Sequence, residues 1–404
     1  MPPKLQLAGS LPLVALLGAV TAFEALAIDM YLPAFSRIAA TMNVDAGAVQ
    51  ASLSVFLIGL AAGQAFFGPL TDRFGRRPPL MAGIALLAAA SVLVALAGDM
   101  VTFTIGRALQ GIGGAACIVI PRILVADLYE PRASAKVFSL LTQIMMIAPV
   151  AAPPLGGLLL GWADWRPIFW LLAALAAASL IPAWRMVPET VPAGGRRTGS
   201  VGAALREFGR LFRRRGFLAH AASGSFSVAG LFAYIGASAF VFVEHYRLSP
   251  DAFGLVFALN ALGMIGAGQL NILLLDRWGE SLLLRAGLLV HAALVLLMVL
   301  AVATGRDDVW LIGPLLFLAV ATFIPILGNV TACVMDCASD ATASAASLFG
   351  VMQYALAGAV GALLGAAHDG TLLPPLAVML ACAVLALAAH AVAARQDPRT
   401  VPAE

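Results

Sequence analysis

The chain has 404 residues, of which 61% are hydrophobic and only 11% charged, with a mean hydropathy of +0.96. A water-soluble chain carries about 25% charged residues, so this composition excludes a soluble enzyme or a soluble binding domain and makes lipid the solvent. The net charge of +3 says little about partners, and nucleic acid is not expected to be one. Cys117, Cys333, Cys337 and Cys382 lie in or at the ends of apolar runs, at spacings that do not suit a zinc site. No metal, cofactor or catalytic residue is expected.

The first apolar run covers about 11–33. It is longer than a signal-peptide core of about 7–15 residues and carries Glu24 and Asp29, so it reads as a retained membrane span. A span needs about 20 apolar residues, and further runs of that order fall near 48–71, 78–97, 101–125, 135–160 and 165–186. From Pro188 to Arg215 the chain turns polar, glycine-rich and basic, with seven arginines. Within that stretch, Val201 to Phe212 is spaced like a short amphipathic helix lying on a membrane surface; a merely solvated loop is the other reading. Six more runs follow, near 217–243, 251–275, 281–303, 309–332, 341–367 and 371–394. The expectation is an all-α membrane protein of twelve transmembrane helices in two six-helix bundles. The bundles would cover 1–187 and 216–404, joined by a basic linker at 188–215.

Lys and Arg set the orientation. With the N-terminus inside, 18 of the 24 basic residues fall in inside segments, four (Arg37, Arg166, Arg247, Arg306) outside, and Arg107 and Arg122 within the fourth span. Both termini and the linker are therefore expected in the cytoplasm.

A polar knot separates the second and third spans: Gly68-Pro69-Leu70-Thr71-Asp72-Arg73-Phe74-Gly75-Arg76-Arg77. A worn copy, Asp276-Arg277-Trp278-Gly279-Glu280, stands 204 residues later, which suggests a duplicated chain. With twelve spans and a central basic loop, the knot resembles the signature of the major facilitator superfamily. The resemblance implies a conformational latch at Gly68, Asp72, Arg73, Gly75, Arg76 and Arg77. The aspartate would sit at the start of the eleventh span, and the arginines would bind carboxylates at neighbouring helix ends. Asp127, closing the fourth span, is a plausible such carboxylate. A topology anchor alone is the alternative.

Three further stretches narrow the resemblance. Ile28-Asp29-Met30-Tyr31-Leu32-Pro33 is similar to the end of the first span in bicyclomycin- and chloramphenicol-resistance exporters (the Bcr/CflA subfamily). Arg107-Ala108-Leu109-Gln110-Gly111-Ile112-Gly113-Gly114-Ala115 resembles a fourth-span motif that the family links to proton transfer. Ala152-Pro153-Pro154-Leu155-Gly156-Gly157 resembles the fifth-span motif of drug antiporters, with Ala152 in place of a glycine. Trp165-Arg166, Ile168-Phe169-Trp170 and Pro188-Glu189-Thr190 also fit. Many of these exporters carry Arg-Asp where this chain has Ala126-Asp127. In the fifth span Pro149 and Pro153 remove backbone donors, and Gly156 and Gly157 allow close approach of a neighbour.

An ionised side chain mid-membrane costs about 2.5–3.5 kcal/mol and usually marks a substrate or proton path. Glu24 and Asp29 are five residues apart, about 140° around a helix. Buried without a cation, Glu24 is a candidate for a proton that comes and goes. Arg107 lies within a turn of Asp29 in depth; an Asp29–Arg107 pair would hold the carboxylate ionised, whereas Asp29 as a cap beside Pro33 is the other reading. Gln110 and Arg122 complete the candidate proton and substrate site, although Arg122 is as well placed to snorkel or to pair with Asp127. The reading is a monomeric exporter of small drug-like molecules, exchanging them for protons as the two bundles rock about a midplane site. An exporter of an endogenous sugar or amino acid on the same fold is the alternative.

Overall fold

The computed structural model describes residues 11–190, 201–338, 341–367 and 370–395. Among them the regular structure is entirely helical. Lipid supplies no hydrogen-bond partner, so each spanning backbone must satisfy itself, and helices do so within one segment.

The helices are α1 (Leu11–Asp29), α2 (Phe35–Met42), α3 (Ala46–Phe74), α4 (Arg77–Ala95), α5 (Met100–Leu128), α6 (Pro131–Trp162) and α7 (Arg166–Met186). Then come α8 (Val201–Phe212), α9 (Arg215–Ala239), α10 (Pro250–Ala303), α11 (Val309–Ala321), α12 (Phe323–Asp336), α13 (Thr342–Ala366) and α14 (Leu373–Ala394). Eleven segments among the described residues are long and apolar enough to cross a membrane. One of them, Ala252–Ala303, has 52 residues. At 1.5 Å per residue that is roughly 78 Å, more than twice a hydrocarbon core of about 30 Å. Gly279, at φ +66°, breaks α10 there, a conformation that glycine adopts without a Cβ clash. The two limbs bring the crossings to twelve, as the sequence predicts.

The first span continues past Pro33, through a 3₁₀ turn at Leu32–Ala34, into α2. Span Val309–Asp336 is jointed at Thr322, whose Oγ1 donates to Ala319 O at 2.6 Å. His291 supports that joint, with Nδ1 3.1 Å from Ala319 O and 3.0 Å from Thr322 Oγ1. Beyond α9 the chain makes one wide π-helical turn, Phe240–His245. α6 runs through Pro149, Pro153 and Pro154 as one helix.

The chain divides into two compact units, Met1–Ala204 with Pro250–Leu255, and Leu205–Ser249 with Val256–Glu404. In the first, α5 packs against α3 and α4, and α1 against α5, α6 and α7. In the second, α9 packs against α12, α13 and α14. α8 forms over the predicted residues, but its Leu211 is fully buried in the second unit's core beside Phe217, Leu284 and Val334. Phe208 and Leu211 of this helix therefore rest on protein. Arg196 and Arg197 lie outside the described residues.

Candidate functional site

Glu24 and Asp29 are both buried, at 5% and 4% exposure, and neither turns into lipid. α1 ends at Asp29, where the motif turns the chain at Tyr31. The two acids stand five residues apart on α1, and Asp29 Oδ1 has no hydrogen-bond partner.

The expected Asp29–Arg107 ion pair is absent among the described residues. Arg107 is fully buried in a cage of other groups. Its Nη1 donates to Ala27 O at 2.9 Å and to Gln110 Oε1 at 2.8 Å. Gln110 Nε2 in turn donates to Ser91 Oγ at 2.7 Å, and Ser91 Oγ to Leu87 O at 2.7 Å. The guanidinium carbon lies 4.2 Å from the centre of the Tyr31 ring and 4.4 Å from that of Phe56. A desolvated cation–π contact is worth about 2 kcal/mol, so two ring faces and a carbonyl hold the charge where a carboxylate was expected. Arg107 Nε and Nη2 make no hydrogen bond.

Glycines bring these parts together. A Cβ on Gly111 would overlap the Phe56 carbonyl of α3, and one on Gly113 would sit 2.7 Å from Leu87 N of α4. The two glycines of one motif thus seat α5 against two helices at once. A Cβ on Gly156 would overlap the Met30 carbonyl. The fifth-span motif is therefore where α6 meets the turn that follows Asp29. Gly157 is buried, as is Pro153. Tyr31 also packs on Phe169 at 5.8 Å between ring centres, and Phe169 on Phe103 and Trp165 at 5.6 and 5.9 Å.

At the end of the unit carrying Arg73 and Arg77, the structure brings Arg76 and Asp127 together, Nε to Oδ2 at 3.0 Å. Arg76 Nη1 also donates to Thr71 Oγ1 at 3.0 Å, and Thr190 Oγ1 to Asp127 Oδ2 at 2.7 Å. Glu189 accepts from the backbone N–H of Arg76 at 2.8 Å and of Arg77 at 3.3 Å. Its carboxylate thus sits at the N-terminus of α4, where the helix dipole favours an anion. A Cβ on Gly75, at φ +90°, would overlap that carboxylate. Arg77 donates to Trp184 O and lies over the Trp184 ring. Arg73 is exposed, with its guanidinium over the Phe74 ring at 5.2 Å. Gly68 sits in α3, its carbonyl taken by Thr71 Oγ1 at 2.7 Å. The side chain of Asp72 lies outside the described residues.

Glu189 and Thr190 stand out in the sequence only through the resemblance of Pro188-Glu189-Thr190. Their signal was a lone acid–hydroxyl pair at the seam between an apolar run and a basic one. Arg122 is exposed and has no partner among the described residues; Asp127, its expected alternative partner, is taken by Arg76. At the opposite end, Arg37 Nη1 donates to Leu160 O at 2.6 Å and Ala163 O at 3.0 Å, which caps the C-terminus of α6. Asp99 caps α5: the Thr102 backbone N–H, and then its hydroxyl, hold the Asp99 carboxyl below the usual value.

The second unit uses neutral groups. Asn271 and Asn329 exchange amide hydrogen bonds of 3.3 and 2.9 Å. Asn260 Nδ2 donates to Tyr234 OH at 2.7 Å, and the Tyr234 ring stacks on Phe257.

Residues 17–362 match the Major Facilitator Superfamily. The chain is 33% identical to the MFS-type transporter YdgK of Bacillus subtilis, over 93% of each chain. It is 30% identical to a bicyclomycin resistance protein homolog of Haemophilus influenzae, over 93% of this chain and 94% of that one. Among solved structures, a D-xylose-proton symporter superposes with a TM-score of 0.72 at 18% identity, covering 98% of this chain and 99% of that one.

Proposed function

Because the chain belongs to the major facilitator superfamily and is a multi-pass membrane transporter, we propose that it exports small amphipathic compounds across a bacterial cytoplasmic membrane in exchange for protons. Both termini lie in the cytoplasm in this reading. One observation supports it: two acidic side chains, Glu24 and Asp29, are buried on α1, while the motif arginine Arg107 is held by Ala27 O, Gln110 and two aromatic rings. A carboxylate buried at membrane depth is costly as an anion, and Asp29, whose Oδ1 has no hydrogen-bond partner, gains from either a proton or a cationic group. Proton and cargo then compete for it. The similarity to a bicyclomycin resistance homolog supports a drug-like cargo.

In the proposed cycle the deprotonated site takes cargo from the cytoplasm, opens outward, accepts a proton, releases cargo and returns protonated. Arg107 positions the turn at Tyr31 through its cage, with Gln110 as the hydrogen-bonded second member. The network of Arg76, Asp127, Glu189 and Thr190 is the proposed latch; breaking or making it biases one state against another. Arg122 has the charge to attract polar cargo at its end of α5.

The test is transport in proteoliposomes under an imposed pH gradient, with wild type, Glu24→Gln and Asp29→Asn. Gradient-driven accumulation by wild type that at least one variant loses, at equal protein per vesicle, is expected. Equal transport with and without the gradient removes the proton coupling.

A further inference from the structure

Among its described side chains, α8 is fixed to the second unit through Phe208 and Leu211. Leu211 is buried among Phe217, Leu284, Leu288, Val334 and Ala338, and Phe208 packs on the same cluster. At about 100° per residue, Arg206, Arg210 and Arg213, just past the helix end, fall on the opposite flank. All three are exposed, as are Arg215 at the start of α9 and Arg285 next to Leu284. Among the described residues, the one acid paired with these five is Glu207, 3.4 Å from Arg210. Phe212 and Trp278, 46% and 54% exposed, stand at the same end of the unit. Exposed aromatic rings there belong at headgroup depth.

A preference for basic residues on one side of the membrane would be met by arginines anywhere in the loop. Here they are held in register on a helix whose other face is packed against the ends of membrane-crossing helices. Arginine pairs with phosphate oxygens through two parallel N–H bonds, and a point charge does not. We propose that the arginine flank of α8, with Arg215 and Arg285, is a docking site for anionic phospholipid headgroups of the adjoining leaflet. The bound group is the phosphodiester, and the lipid class is phosphatidylglycerol rather than a zwitterionic lipid. Each arginine near an anionic surface strengthens attachment roughly fivefold.

The site is tested on the full chain purified in detergent and titrated with dioleoyl phosphatidylglycerol or dioleoyl phosphatidylcholine. Bound lipid is counted by native mass spectrometry, and thermal unfolding is followed in parallel. Wild type is expected to retain phosphatidylglycerol and to unfold at a higher temperature with it. The triple variant Arg206→Gln, Arg210→Gln, Arg213→Gln is expected to lose at least about tenfold in that binding and to treat phosphatidylcholine as wild type does. Arg306→Gln, a charge removed from an exposed position outside the flank, should leave both unchanged. Replacing the same three arginines by lysine should keep part of the preference and show that the helix still folds. Phosphatidylglycerol binding by the glutamine variant at wild-type strength, or equal binding of both lipids by wild type, overturns the proposal.

Discussion

The two units solve the problem of polar groups in an apolar solvent differently. The first buries Glu24, Asp29 and Arg107, and ties its basic end with the Arg76–Asp127 pair. The second holds three neutral matches among its buried and half-buried groups, Asn271 with Asn329, Asn260 with Tyr234 and His291 with the joint at Thr322, while His390 Nδ1 is buried without a hydrogen bond. Neutral pairs satisfy a helix contact and store little. Buried charges are worth keeping only where a change of protonation or partner has work to do. In the proposed cycle it is the first unit, with Glu24 and Asp29, that would carry the proton and cargo chemistry.

Arg107 is where the contrast is most exposed to failure. Arg107→Met leaves the Ala27 carbonyl and the Gln110 amide without their donor, and should cost about 3 kcal/mol or more in detergent unfolding. The neutral pair should behave otherwise. Asn271→Leu or Asn329→Leu alone should cost on the order of 1 kcal/mol, and the double variant less than the sum, because no amide is then left unmatched. A double variant as damaging as Arg107→Met would erase the distinction between the units. The Arg76–Asp127 pair of the proposed latch is partly exposed, with side chains 13% and 30% accessible. A double-mutant cycle on Arg76→Ala and Asp127→Ala should return a coupling of about 0.5–1 kcal/mol that shrinks with added salt. The smallest effect belongs to Asp99. Its carboxyl is held below its ordinary value of 3.8, so its cap is fully present above that pH and fades as the pH falls through the lowered value. Asp99→Ala should therefore lower stability slightly at neutral pH, and the difference should vanish in acid unfolding.

The crossings were legible because lipid forces long apolar runs, and so was the turn at Gly279, which a worn copy of the first turn marks. Val201–Phe212 was legible from its spacing, but not the surface it packs on, since an apolar stripe looks the same facing acyl chains or leucines. The pairing of Asp29 with Arg107 was the natural inference from two opposite charges at one depth. It fails because aromatic faces and a main-chain oxygen can hold a guanidinium, and neither Phe56 nor the Ala27 carbonyl advertises itself in a sequence. Glu189 escaped for a related reason: its bonds go to backbone amides of Arg76 and Arg77, which every residue possesses.

The wide turn at Phe240–His245 has a mechanical result. Neighbours on an ordinary helix diverge by about 100°, so two in a row seldom reach one target. Here His245 Nε2 lies 3.3 Å from the Asp307 carboxylate while the Tyr246 hydroxyl donates to the Asp307 carbonyl at 2.8 Å. That double hook staples the tip of α9 to the hairpin ahead of α11. A swing of the tip would have to break both contacts or carry the hairpin along.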